Sequence, residues 1–160
     1  MRREKMDNRR GFSLIELIIV VAILGIMGTI AASTFQSYVN NSNLRTAARD
    51  MASDISNTRQ KAMAEGLNYR ISISTSSNNY VVIRVNSDGS TTNINTKSPT
   101  MFGAGLTILS ANYGGNPIIY INSRGTISPS GTVVLQNNRN SQATITSNVT
   151  GRTHVTFAIL

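Results

Sequence analysis

Residues 12–32 form an apolar run too long and too uniform to stay in water as an isolated element. No charge occurs from Leu17 through Leu44. A helix of roughly 20 residues is about 30 Å long, the thickness of a bilayer's hydrocarbon core. Upstream stand Arg2, Arg3, Lys5, Arg9 and Arg10. Basic residues beside a span stay on the cytoplasmic side. The pattern therefore predicts a membrane-spanning helix with its N-terminus in the cytoplasm.

Glu16 interrupts the run. A carboxylate at the centre of a membrane helix costs about 2.5–3.5 kcal/mol on insertion scales, so an intramembrane acid is a functional candidate. One reading leaves Glu16 snorkelling at the interface. The other needs a nearby cation. Cleavage between Gly11 and Phe12 would supply one, an α-amino group four residues before Glu16. Paired with a Glu16 carboxylate on an adjacent copy, it would favour one subunit register, because either charge buried alone is costly.

The heptapeptide Arg10-Gly11-Phe12-Ser13-Leu14-Ile15-Glu16 resembles the processing site of type IV prepilins and type II secretion pseudopilins. The resemblance implies that prepilin peptidase cuts after Gly11 and that Phe12 is N-methylated. It also implies that Glu16 is the glutamate used in assembly. Many members of that family carry a proline about two-thirds along the helix, where this chain has Ser33. Gly25 and Gly28 could supply flexibility instead, since glycine weakens a helix by about 1 kcal/mol. Equally, Gly25, Gly28 and Ala32 could let membrane helices approach closely. The alternative for the whole segment is an ordinary secretory signal peptide cut near Thr29, Ala31, Ala32 or Ser33.

The 160 residues make one domain beyond the helix, and the roughly 120 left without leader and span suffice for one modest core. The formal charge is +8. Beyond the leader, and setting Glu16 aside, ten basic residues face four acids, Asp50, Asp54, Glu65 and Asp88. A basic exported domain can meet nucleic acid, anionic lipid or an acidic protein, or simply stay soluble. With no cysteine, thiol, iron–sulfur and zinc-thiolate chemistry are excluded, and stability must come from the core.

Past the apolar run, Asn40-Asn41-Ser42-Asn43 is a weak stretch that could bend or loosen a helix. Leu44, Ala48, Met51, Ile55, Ala62 and Met63 then recur at helical spacings and predict an apolar stripe. Gly66 reads as the stop. One helix is therefore expected over about 12–65. The period changes to two at residue 67, with strands expected at 69–74, 80–85, 91–96, 106–109, 118–121, 132–136, 143–146 and 154–159. Residues 76–79 and 86–89 read as turns, and 112–117 as a loop. The expected fold is α+β: a long N-terminal helix, membrane-spanning first and amphipathic second, packed on an antiparallel β-sheet. The expected domains are a cleaved leader (1–11), an assembly helix (12–38), its amphipathic half (39–66) and a β-rich domain (67–160).

Residues 119–125, the run 130–135 and Thr150-Gly151-Arg152 resemble the FimT and GspH branch of this superfamily. These are minor pilins of type IV pili and the minor pseudopilin H of type II secretion. The resemblance implies a structural subunit whose partners are prepilin peptidase, other pilins or pseudopilins, and an inner-membrane assembly platform. After insertion in the bacterial inner membrane, the C-terminal domain would face the periplasm before joining a pilus or pseudopilus.

No catalytic constellation, cofactor site or metal site is read from the sequence. His154 is the single histidine, and Asp50 and Asp54 read as a solvated helix face. Gly151-Arg152-Thr153-His154 resembles a Gly-Arg-x-Arg motif that FimT-like minor pilins use to bind DNA. Arg152 matches it, while His154 lacks the second fixed charge. An arginine can contact phosphate bidentately, and glycine lets a backbone come close. Arg139 and Lys97 are candidates to widen the patch. The competing reading is a turn with Arg152 merely solvated.

Overall fold

The computed structural model describes the backbone of residues 12–160 and the side chains of 12–28 and 35–160. Gly11, half of the expected cleavage site, lies outside the described residues. The chain divides between Gln36 and Ser37 into two compact units.

A single helix, α1 (Leu14–Glu65), crosses that boundary. Over 14–28 its side chains are apolar apart from Glu16, from Leu14 at 75% exposure to Val20 at 44%. A helix apolar all round has no solvated face and belongs in a core or a membrane. The described part of the run stops at Gly28. Among the described residues, no helix is long and apolar enough to cross a membrane.

In the second unit, Leu44, Ala47, Ala48, Met51, Ile55, Thr58 and Ala62 form one buried face. Their spacing of three and four is the helix period. Met63, expected on this stripe, is 42% exposed instead. Thr58 takes the matching place on the buried face, its hydroxyl returned to the Asp54 carbonyl at 2.6 Å. The asparagine stretch does not break the helix. Asn41 accepts a bond from the Asn137 side chain at 2.9 Å, so it is held by a distant turn rather than competing for its own backbone.

Two four-stranded antiparallel sheets cover that face, where the sequence suggested one sheet. The strands are β1 (Asn68–Ser74), β2 (Asn79–Val85), β3 (Thr91–Lys97), β4 (Thr107–Tyr113), β5 (Ile118–Ile121), β6 (Gly131–Gln136), β7 (Gln142–Ser147) and β8 (Thr153–Ala158). One sheet runs β3-β2-β1-β5 and the other β4-β6-β7-β8. Alternation chooses the inner faces: Tyr69, Ile71 and Ile73 on β1, Val133 and Leu135 on β6, Ala143 and Ile145 on β7. With the helix stripe they form one hydrophobic cluster. At about 25 cal/mol per Å² this burial supplies the main favourable term.

β4 is longer than expected. It continues through Asn112 and Tyr113, because Tyr113 is buried and donates its hydroxyl hydrogen to Ser147 at 3.3 Å. Asn78, in the left-handed region at φ 50°, turns the β1–β2 hairpin. Its side chain also donates to the Leu106 carbonyl and accepts from the Ile108 N–H, both at 2.8 Å. One turn residue thus ties the first sheet to the start of β4.

Candidate functional site

The N-terminal site is built by the start of α1. The Leu17 N–H bonds the Ser13 carbonyl at 3.2 Å, so Ser13 holds the N-cap position and Glu16 lies three residues on, within the first turn. Free N–H groups and the helix dipole favour a carboxylate there by roughly 0.3–1 kcal/mol. Phe12 precedes the cap and is exposed. An α-amino group created at Phe12 would therefore stand one helical turn before Glu16, at the end of the helix that already favours an acid.

The four C-terminal candidates do not form one patch: Arg152 and His154 are two residues apart and both exposed at the start of β8, while Lys97 and Arg139 lie elsewhere. Lys97 closes β3, and its ammonium lies 2.8 Å from both Asp50 and Asp54. Asp54 also accepts the Tyr80 hydroxyl at 2.7 Å. Burial alone would lower the Lys97 pKa, but its bonds to the two carboxylates raise it. Lys97 is thus neutralised locally and adds no cation to an external patch. Asp50 and Asp54, expected as a solvated face, are its partners. Among the described residues no cluster of acids or histidine is able to hold a metal ion.

Arg139 stands in the β6–β7 turn and Arg152 in the β7–β8 turn, both exposed. The six residues of β7 separate these turns by about 20 Å. His154 lies exposed on β8, opposite Thr146. Gly151 is required by the packing beneath its turn. Its φ is +80°, and an added Cβ would strike the Arg59 side chain and come within 2.6 Å of the Gly125 carbonyl oxygen.

That contact brings in two residues the sequence reading did not assign. Gly125 closes the turn after β5, so its neighbour Arg124 lies beside the turn that carries Arg152. The Ile127 N–H bonds the Val149 carbonyl at 3.1 Å and holds the two turns together. Beneath them Arg59 donates Nε–H to the Gly125 carbonyl at 2.7 Å. Arg124 and Arg152 are exposed and form no ion pair among the described residues. The available signal was an arginine adjoining a turn glycine at two places, Arg124-Gly125 and Gly151-Arg152.

Comparison with known proteins agrees with this architecture. Residues 6–32 match the prokaryotic N-terminal methylation motif, and residues 47–151 match the type II transport protein GspH family. A 47-residue stretch is 40% identical to the type IV major alpha-pilin of Moraxella bovis, covering 29% of this chain and 30% of that protein. A 64-residue stretch is 33% identical to type II secretion system protein H of Xanthomonas campestris, covering 40% of this chain and 38% of that one. The matched stretches thus span well under half the length of these relatives. The fold is similar to the minor pseudopilin EpsH from the type II secretion system of Vibrio cholerae. The TM-score is 0.60 at 11% identity, over 72% of this chain and 97% of that one. The match over 47–151 takes in the amphipathic half of α1 from Ala47 and both sheets as far as Gly151, and on that ground this chain belongs to the type II transport protein GspH family.

Proposed function

We propose that this chain is a minor pseudopilin or pilin, a structural subunit built into a type II secretion pseudopilus or a type IV pilus. One observation carries the reading: an N-terminal methylation motif and a GspH domain occur on one chain, joined by one continuous helix. In this reading residues 1–11 are a leader removed by prepilin peptidase between Gly11 and Phe12. Residues 12–38 hold the protein in the inner membrane, with the leader in the cytoplasm. Residues 39–66 and 67–160 form the periplasmic domain. Phe12 is N-methylated, and its ammonium pairs with Glu16 of a neighbouring subunit on the assembly platform. The apolar surface of α1 over 14–28 supports this, because it needs either lipid or other helices around it.

Intact mass and N-terminal peptide analysis of the protein from native membranes tests the reading. A start at Phe12 with one added methyl group is expected. A start near Ala32 or Ser33 would mean a released domain, and Glu16 would lose its role.

A second reading is that the domain also binds DNA. It is supported by Arg124 and Arg152 on adjoining turns, exposed and without a carboxylate partner among the described residues. Lys97 drops out of this site because Asp50 and Asp54 hold it, and Arg139 because it lies at the other end of β7.

A further inference from the structure

We infer that the end of the domain carrying Arg45 and Arg139 is a docking surface for an anionic phospholipid bilayer. The inference rests on the membrane-anchor reading of the N-terminal helix, and it assigns a role to residues that reading does not use.

Three segments meet at this end. The Asn137 side chain donates to Asn41 at 2.9 Å and brings the β6–β7 turn onto α1. The Leu160 N–H bonds the Ser141 hydroxyl oxygen at 3.0 Å and brings the end of β8 to the same turn. Tyr38, Asn41, Ser42, Arg45 and Ile159 line a hollow of about 400 Å³ between them. The surface has the composition of a membrane interface: an aromatic and an aliphatic side chain among cations. Tyr38 is 71% exposed and Leu160 77% exposed.

The charge is one-sided. Arg45 and Arg49 lie over the Phe157 ring, 4.8 and 5.9 Å from its centroid, which directs both guanidinium groups along this flank. Arg139 uses only its backbone N–H, donated to Asn137 at 3.0 Å, and its side chain is exposed. No acidic side chain occurs from Leu17 through Arg49, nor anywhere after Asp88.

Reach commits this surface to lipid. From Ala32, the end of the apolar run, to Tyr38 is six residues, about 20 Å fully extended and about 9 Å as helix. The headgroup layer adds about 5–7 Å beyond the hydrocarbon. Because α1 is helical through this stretch, the shorter length applies, and along the chain Tyr38 lies within about a Debye length of the lipid phosphates. Lys and Arg near an anionic leaflet each shift the docked to undocked ratio about fivefold.

The cysteine-free sequence allows a direct test on the full chain. Asn138→Cys and, as a control, Ser87→Cys in the β2–β3 turn each carry a fluorophore. The control turn lies toward the Glu65 end of α1, since Arg84 of β2 is 3.8 Å from Glu65. The proteins are reconstituted in phosphatidylcholine vesicles and in phosphatidylcholine–phosphatidylglycerol vesicles, with headgroup spin labels as quenchers. Quenching at 138 but not at 87 should rise severalfold with phosphatidylglycerol. Arg139→Glu should cancel most of that rise, and Arg45→Glu/Arg139→Glu all of it. Arg139→Glu suffices alone, because its side chain makes no contact the fold needs. Equal quenching in both vesicles, or quenching indifferent to Arg139→Glu, overturns the proposal. Failure of the chain to float with vesicles removes the anchor reading and this surface with it. Flotation without phosphatidylglycerol dependence removes only the surface. Shielding of the 138 probe by duplex DNA, but not by the anionic bilayer, would make it a nucleic-acid site and also overturn the proposal.

Discussion

Arg59 donates its Nε–H to the carbonyl oxygen of Gly125 at 2.7 Å, joining positions 66 apart in sequence. Gly125 is buried and Gly151 lies against the same guanidinium. One helix side chain thus fixes two turns, and with them the separation of Arg124 from Arg152.

Arg59→Ala should therefore cost about 1–3 kcal/mol, the range for leaving a buried carbonyl without its donor. Gly151→Ala should cost a comparable amount, because the φ of +80° and the Arg59 side chain both oppose a Cβ. Urea unfolding of the full chain in detergent, followed by far-UV circular dichroism, measures both. Loss below about 0.5 kcal/mol in both variants would show that the two turns hold themselves.

Lys97→Met should destabilise the domain by about 1–2 kcal/mol. That is below the 3–5 kcal/mol of a fully buried pair, since the three side chains remain 18–30% exposed. Adding Asp50→Asn and Asp54→Asn should recover most of the loss, because the cost lies in two carboxylates left facing each other. The same unfolding assay decides it, and a triple variant weaker than Lys97→Met would contradict the account.

Stability should fall on the alkaline side. Burial, then the bond to Glu65, pushes the Tyr69 pKa from 10.0 up to about 12. Burial and the Asp54 carboxylate push Tyr80 up further, and burial raises Tyr113. A phenol with a higher pKa in the fold keeps its proton on folding. Its contribution is intact below about pH 10 and is lost as the pH climbs toward about 12. Thermal unfolding across pH 8–12 should show a falling midpoint above about pH 10. Tyr80→Phe should flatten that fall, and an unchanged slope would remove Tyr80 from the account.

Glu16→Ala should leave cleavage and membrane insertion intact and abolish incorporation into filaments. Sheared-filament fractions probed against membrane fractions measure this. Normal incorporation would remove the pairing of Phe12 with Glu16 from the mechanism.

Arg152→Ala and Arg124→Ala should each weaken DNA binding and lower the log–log salt slope by about 0.9, the value for one phosphate contact. Lys97→Met should leave affinity and slope unchanged, because its charge is already neutralised. Fluorescence anisotropy with a labelled duplex over a salt series separates these outcomes. Unchanged slopes in both arginine variants would reduce Arg152 to a solvated turn residue.

Much of the chain was legible without coordinates. Hydrophobic period is a local property, and it placed the helix over 12–65 and each strand within a few residues of its observed bounds. Arg9, Arg10, Gly11, Phe12 and Glu16 stand within one short stretch, and the methylation motif match spans it. Local pattern failed where a residue's partner is distant. Tyr113 read as loop because its hydroxyl partner is Ser147, and the 40–43 asparagines read as a weak point because Asn137 was not in view.

Chain order and periodicity, which depend on near neighbours alone, determined the elements, the apolar face of the helix and the apolar run at its start. Tertiary structure alone decided which charges are free. Lys97 and Arg152 read alike as basic residues in polar surroundings, yet only Lys97 meets two carboxylates, from a helix 47 positions earlier at Asp50. Arg139 and Arg152 lie close in sequence but stand at opposite ends of a strand. Arg124 and Arg152, far apart in sequence, stand on adjoining turns, because the antiparallel connections fold these turns over one helix side chain. Charge acts through space, and only the packed chain sets those distances.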